Sequence, residues 1–266
     1  MVSVAVYAEG PTEWLVARKL WKRKILNGMG FLGAEERQPG DLIVGGGVDT
    51  FLKNLFSIDR ASSERGVLIR DRTPFDRVLL MFDQEQMPNL EKYVKSKIET
   101  HLREIGIVSN FDKADDEIPN VFTGNIQTLP VAIHVANHDG MTYKKGPDLD
   151  GNRDFDGYIV ELLQNLEDDP IGVSIVQRML KETHQEKVKV MHQIGNQKIP
   201  DLMKDDQLPI KRSKTILYSH ITAMQIGKSH VHFSEKVVEE SDEDNLRTVF
   251  KSLIAAWDSL KREDDV

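Results

Sequence analysis

The sequence predicts an α/β protein, a parallel β-sheet flanked by helices with a mainly helical C-terminal part, and three observations carry that expectation. The apolar runs VSVAVYA at 2–8, DLIVGGG at 41–47 and RVLLMFD at 77–83 have the length and near-unbroken hydrophobicity of strands buried on both faces. Each is followed by a segment of helical period. From GYIVELLQNL at 157 onward the helical period dominates, so the strands gather in the first half of the chain.

Taken in order, VSVAVYA is the first strand. Pro11 at the next turn and Glu13 in the first helical turn open a helix whose Trp14, Leu15, Ala17, Leu20, Trp21 and Ile25 give an apolar stripe to about Leu26. DLIVGGG is the second strand, its glycines turning into the helical VDTFLKNLFSI, and RVLLMFD is the third, followed after Pro88 by the long helical pattern NLEKYVKSKIETHLREIG. Such alternation is the signature of βαβ units with right-handed crossovers, and in these sheets ligands gather beyond the carboxyl ends of the strands. A fourth run, TLPVAIHVA at 128–136, extends the sheet, and residues 139–157, rich in Asp, Gly, Lys and Asn, read as a loop. Beyond it VSIVQRMLKE, TILYSHITAMQ and NLRTVFKSLIAAWDSLKR read as helices, with loops at 193–213 and an acidic break near 239–244. The division expected is a catalytic core at 1–157 and a helical part at 158–266, with their packing as one domain left open.

The absence of cysteine excludes disulfides, thiolate metal sites and thiol chemistry, and fits a reducing cytoplasm. No apolar run reaches membrane-spanning length and VSVAVYA lacks the flanks of a signal peptide, so a soluble, cytoplasmic protein that does not engage a membrane is expected. A net charge of −8 argues against an all-over basic surface for nucleic acid. The basic run Arg18, Lys19, Lys22, Arg23 and Lys24 reads as a solvated helix face ahead of a phosphate-tracking strip.

The acids at the strand ends are more telling. Glu9 ends the first strand and Glu13 lies four residues on, so both can face one cavity from the strand tip and the first helical turn. Asp83 ends the third strand and Glu85 follows at a spacing of two, which in extended backbone puts both on one side. Four converging carboxylates repel one another and raise their pKa values unless a divalent cation neutralises them, and oxygen-only donors select Mg²⁺ or Mn²⁺ over Zn²⁺. Singly, each acid has an ordinary explanation, Glu13 by the helix dipole alone. Jointly, at the first and third strands of one βαβαβ pattern, they read as a site.

AEGPTE after strand one, the glycine-ended IVGGG and the FDQE after strand three together resemble the Toprim domain, the catalytic module of topoisomerases, DnaG-type primases and OLD-type nucleases. The ExxxE form of the first motif is most similar to the OLD-type and small stand-alone Toprim proteins, and the resemblance spans residues 1–160. It implies a Toprim-like core in which Glu9 is a metal ligand or general acid/base, Asp83 and Glu85 are metal ligands, and Glu13 is the ligand peculiar to the nuclease-like branch. Glu85 departs from the family's DxD pattern, and its longer carboxylate changes the geometry and bears on whether one or two metals bind. A lysine beyond the core also serves such sites, and PIKRSKTILYSHITAM offers Lys211 and Lys214, of which Lys214, at the start of an apparent helix, is preferred to Lys211, while a solvated basic loop accounts for the segment at least as well.

The resemblance thus implies Mg²⁺- or Mn²⁺-dependent hydrolysis of DNA or RNA, two hard cations about 4 Å apart activating water and stabilising the leaving oxygen. It suggests a role in bacterial anti-phage defence. A primase would need a zinc module, for which there is no cysteine, and the chain is short for a topoisomerase. The rival is a non-catalytic Toprim-fold binding or regulatory subunit working with a partner protein such as an ATPase, and a homo-oligomer is left open. An aspartyl-phosphate chemistry on Asp83 leaves Glu9 and Glu13 unexplained.

Three further motifs have plainer readings. DGNRDFDGYIVE puts Asp150, Asn152, Asp154, Asp156 and Glu161 at EF-hand spacing, but Phe155 stands where that loop needs glycine. A loop entering a helix with Asp156 as N-cap is expected, with Asp154 or Asp156 as a further acid at the same sheet edge. GGGVDTF lacks the lysine of a P-loop and reads as a strand-to-helix turn, and His230 and His232 in KSHVHF alternate like a strand pair with no third ligand at matching spacing.

Overall fold

The apolar run after Met1 forms strand β1 (Ser3–Ala8), buried on both faces from Val4 to Ala8. A computed structural model describes residues 2–33, 48–56, 76–84, 89–104, 106–137, 154–164, 193–199, 201–202, 212–223 and 229–261. Helix α1 (Pro11–Lys22) follows with Pro11 at its first position, as the sequence predicts. It ends short of the apolar stripe because Lys24 takes a left-handed φ of 60°, yet Ile25 and Leu26 remain buried. Strand β2 (Gly30–Phe31) then pairs with β1. The expected second strand, DLIVGGG, and the GGG turn after it lie outside the described residues, as does VSIVQRMLKE.

Helix α2 (Val48–Phe56) and strand β3 (Arg77–Asp83) fall where expected. The long helical pattern is realised as α3 (Leu90–Tyr93), a π-helical segment (Val94–Glu99) and α4 (Thr100–Glu104). Asn89 caps its start by accepting the Lys92 amide at 2.9 Å. Two strands were not anticipated, β4 (Phe111–Lys113) and β5 (Val121–Ile126), the latter forming a hairpin with β6 (Leu129–Ala136).

The six strands make one sheet in the order β2-β1-β3-β6-β5-β4. The expected parallel sheet is therefore the β2-β1-β3-β6 portion, and β5 and β4 add an antiparallel edge. The fold is α/β. One sheet face, with Ala5, Tyr7, Leu80, Phe82, Ile133 and Val135, packs on Phe51, Leu52 and Leu55 of α2 and on Val94, Ile98 and Leu102. The other is covered by α1, which packs on β1 and β3, and by α9 (Lys251–Asp258), which packs on β5 and β6. Burial on both faces is why these strands read as continuous apolar runs.

By its contacts the chain divides into two units, one of Met1–Asp83, Met87–Ala136 and Lys251–Val266, the other of Gln84–Gln86 and Asn137–Phe250. In the first, Phe31 gathers every tryptophan of the chain. Trp14 meets it edge-on at 5.4 Å, Trp21 lies at 6.0 Å and Trp257 of α9 stacks at 6.1 Å. Two of the indoles are anchored, Trp21 to the Met29 carbonyl at 2.9 Å and Trp257 to that of Asn27 at 2.8 Å.

In the second unit α5 (Asp156–Gln164) packs against α6 (Arg212–Ala223), α7 (His230–Glu240) and α8 (Glu243–Val249). Phe155, Tyr158 and Phe250 form its aromatic cluster. The loop expected over 193–213 is corrected at its start, where Ile194–Lys198 is a π-helical turn closed by the Ile199 amide on the Ile194 carbonyl. The acidic break falls as expected, Asp242 capping α8 by accepting the Asn245 amide at 2.8 Å.

Candidate functional site

Strand β1 has β2 on one side and β3 on the other. The chain thus leaves β1 in one direction and returns on its opposite flank, which makes the carboxyl ends of β1 and β3 the point where strand order reverses. Crevices outside such switch points are where open α/β sheets bind ligands.

Two acids stand there. The β1–β3 ladder pairs Ala8 with Met81 and continues one residue further, the Glu9 amide donating to the Met81 carbonyl at 2.9 Å. The Glu9 carboxylate then turns back, its Oε2 accepting the Asp83 amide at 3.2 Å. Asp83 itself pairs in register with Ala136, so β6 ends at the same level. Glu9 and Asp83 are both half-buried. The predicted meeting of the first and third strand tips is therefore realised, with the glutamate tied to the aspartate's backbone.

Glu13 sits in the first turn of α1 and is buried, as is Thr12 beside it. Its carboxylate lies back over Gly10, where a Cβ would meet Oε2 at 2.7 Å. Negative charge at this end of α1 is favoured by the helix dipole. Gly10 is the residue that reading the sequence for acids passed over, although its place between two glutamates in EGPTE is the available cue.

Glu85 and Lys211 lie outside the described residues, and Lys214 lies half-buried on α6 of the second unit. Among the described residues, no group of three or more His, Asp or Glu could hold a metal ion. Glu9, Glu13 and Asp83 are hard oxygen donors of the kind Mg²⁺ or Mn²⁺ prefers, so donor type fits such a cation. Their arrangement alone does not complete its shell.

The secondary motifs resolve differently. Asp154, not Asp156, caps α5, since its Oδ1 accepts the Gly157 amide at 3.2 Å, and Phe155 enters the aromatic core where an EF-hand would turn. Asp150 and Asn152 lie outside the described residues. His230 and His232 are not a strand pair. They occupy the first and third positions of α7 behind the N-cap Ser229, His230 Nδ1 lying 3.2 Å from the Tyr218 hydroxyl and His232 4.0 Å from Glu235. Burial, then the nearby Lys214 charge, hold the His230 pKa below its ordinary value.

His134, unremarked in the sequence, is wholly buried on β6 beside Met81. Its Nε2 lies 3.0 Å from the Ser252 hydroxyl of α9, and burial pushes its pKa down to about 3. It is a neutral imidazole joining sheet to helix. In the basic run of α1, Arg18 lies over the Trp14 ring at 5.2 Å while Lys22 and Lys24 are exposed.

No family model matches the chain, and no curated protein matches it. A solved structure described as a hypothetical protein from Pyrococcus horikoshii OT3 aligns over 95% of this chain and 100% of that one, at 11% identity and a TM-score of 0.43. Among the described residues no helix is long and apolar enough to cross a membrane.

Proposed function

We propose that the protein is a metal-dependent nuclease, a Mg²⁺- or Mn²⁺-dependent phosphodiesterase centred on Glu9 and Asp83. The observation that carries this reading is the hydrogen bond from the Asp83 amide to Glu9 Oε2, which brings two carboxylate-bearing strand tips together at the switch point of the sheet. The Toprim resemblance of EGPTE and FDQE supports the same conclusion, with Glu85 as a further ligand and Lys214 or Lys211 as the cation that neutralises a phosphoryl oxygen. A bound divalent cation supplies water activation and charge neutralisation at a phosphodiester. The chain's own contribution is rigidity. The Glu9 carboxylate is held by a backbone amide, and its strand is locked to β3 by a five-residue parallel register. Bacterial anti-phage defence, a partner such as an ATPase and homo-oligomerisation belong to this proposal by the same resemblance.

A second reading, a non-catalytic subunit of Toprim-like fold that depends on a partner protein, is favoured by one observation, the net charge of −8, which disfavours unaided binding of nucleic acid. Cleavage of labelled plasmid, single-stranded DNA and a tRNA mixture in Mg²⁺ or Mn²⁺ separates the two. Metal-dependent cleavage lost in both Glu9→Ala and Asp83→Ala is the expected result, and it also names the substrate. Equal inertness of all three proteins, with metal binding by the wild type alone, makes the protein a binding subunit.

A further inference from the structure

We infer that Glu13 is a positioning residue that closes the N-terminus of α1 over Gly10, and so aims Glu9, without ligating the cation. The inference rests on the reading of Glu9 and Asp83 as the metal's ligands. The N-cap of α1 is Gly10, which has no side chain and makes no side-chain cap hydrogen bond. A helix start leaves its first amides without partners inside the helix, and with a glycine cap the closure must come from elsewhere. Glu13 is at the third helical position, from which a capping-box glutamate reaches back to the cap residue.

The Glu13 carboxylate lies at that cap residue. A Cβ on Gly10 would meet Glu13 Oε2 at 2.7 Å and both Cδ and Oε1 at 3.4 Å, so the whole carboxylate group lies against the cap residue. Gly10 has φ −132° and ψ 166°, extended backbone open to any residue, so its glycine is explained by the close approach of this carboxylate and not by its dihedrals. Glu13 is only 7% exposed, which withdraws it from an incoming hydrated ion. Gly10 directly follows Glu9, whose Oε2 accepts the Asp83 amide at 3.2 Å, so holding the cap residue in place restrains the backbone from which Glu9 projects.

The test uses Glu13→Gln, which keeps the length and the acceptor oxygen that a capping box accepts from Glu or Gln alike, but removes the negative charge a ligand needs. Mn²⁺ titration and urea unfolding are measured for the wild type, Glu13→Gln, Glu13→Ala, Gly10→Ala and the Gly10→Ala/Glu13→Ala double variant. The expected result is unchanged Mn²⁺ affinity and urea midpoint for Glu13→Gln. With it come a Mn²⁺ affinity weakened about threefold in folded Glu13→Ala, since Glu9 is no longer held, where an unchanged affinity would overturn the positioning role, and a folding equilibrium constant lowered about fivefold, a loss that shrinks in the Gly10→Ala background because the added methyl has already displaced the carboxylate. A fall of about tenfold or more in Mn²⁺ affinity for Glu13→Gln at unchanged midpoint makes Glu13 a ligand and overturns the inference, leaving the metal reading intact. If the wild type binds no Mn²⁺, the metal reading falls and the urea series decides. Equal stability of wild type, Glu13→Gln and Glu13→Ala then overturns the closing role, and loss in Glu13→Ala alone sustains it.

Discussion

Replacing His134 with asparagine removes an imidazole sealed between sheet and helix, and the consequence is a changed response to acid. The side chain is fully buried, bonded to the Ser252 hydroxyl at 3.0 Å, and burial lowers its pKa from 6.5 to about 3. Between those two values the unfolded chain holds a proton that the folded chain refuses. The stability contributed is complete above the unfolded pKa and is lost as pH falls below it, at up to about 1.4 kcal/mol per pH unit. Between pH 7 and pH 5 this one group costs the folded state roughly 2 kcal/mol. Urea unfolding at pH 7, 6 and 5 reads the difference directly. An asparagine side chain does not titrate, so the His134→Asn variant, although less stable at pH 7, loses roughly 2 kcal/mol less on acidification than the wild type. Parallel losses in the two proteins would refute the argument, as would a His134 resonance that titrates near pH 6 in the folded protein.

Two other substitutions test the packing. Phe31→Ala empties the centre of the Trp14, Trp21 and Trp257 cluster and is expected to cost about 3–5 kcal/mol with a red-shifted emission, since those are all the tryptophans; native stability and emission would show the cluster to be incidental. Gly124→Ala drives a methyl into the Asn110 carbonyl oxygen and to 2.8 Å from Phe111 Cδ1, a clash with backbone that cannot rotate away. About 1–3 kcal/mol of destabilisation in urea unfolding is expected, and a neutral result would mean that β4 and β5 separate easily.

What could be read from the sequence follows from burial. Strands β1, β3 and β6 are covered on both faces, so each leaves an uninterrupted apolar run, and acids at the ends of two of them mark the candidate site. Strand β2 is two residues long and carries no periodicity at all. Strand β4 exposes Asp112 and Lys113, and the β5–β6 turn places Gln127 at φ 58° with none of the Gly or Asn that usually marks such a turn. The alternation of His230 and His232 imitates a strand, but Ser229 caps a helix there, and local capping outweighs a two-residue pattern. Asp154 and Asp156 are two residues apart and chemically alike, so only the bond to Gly157 decides between them. The closeness of Glu13 to Gly10 matches capping-box spacing, but glycine stands where that signature has Ser or Thr, so the sequence does not advertise it.

The stacking of Trp257 on Phe31 also dictates an order of events during synthesis. A nascent chain that has reached Phe250 carries every strand of the sheet but not the segment 251–258 that covers β5 and β6. Between β6 and that helix the ribosome must first make the whole stretch Asn137–Phe250, which belongs to the other unit. For that interval His134 lacks the Ser252 hydroxyl that its Nε2 meets at 3.0 Å in the folded protein. The first unit is thus closed only once Trp257 reaches Phe31, and tryptophan emission marks that moment.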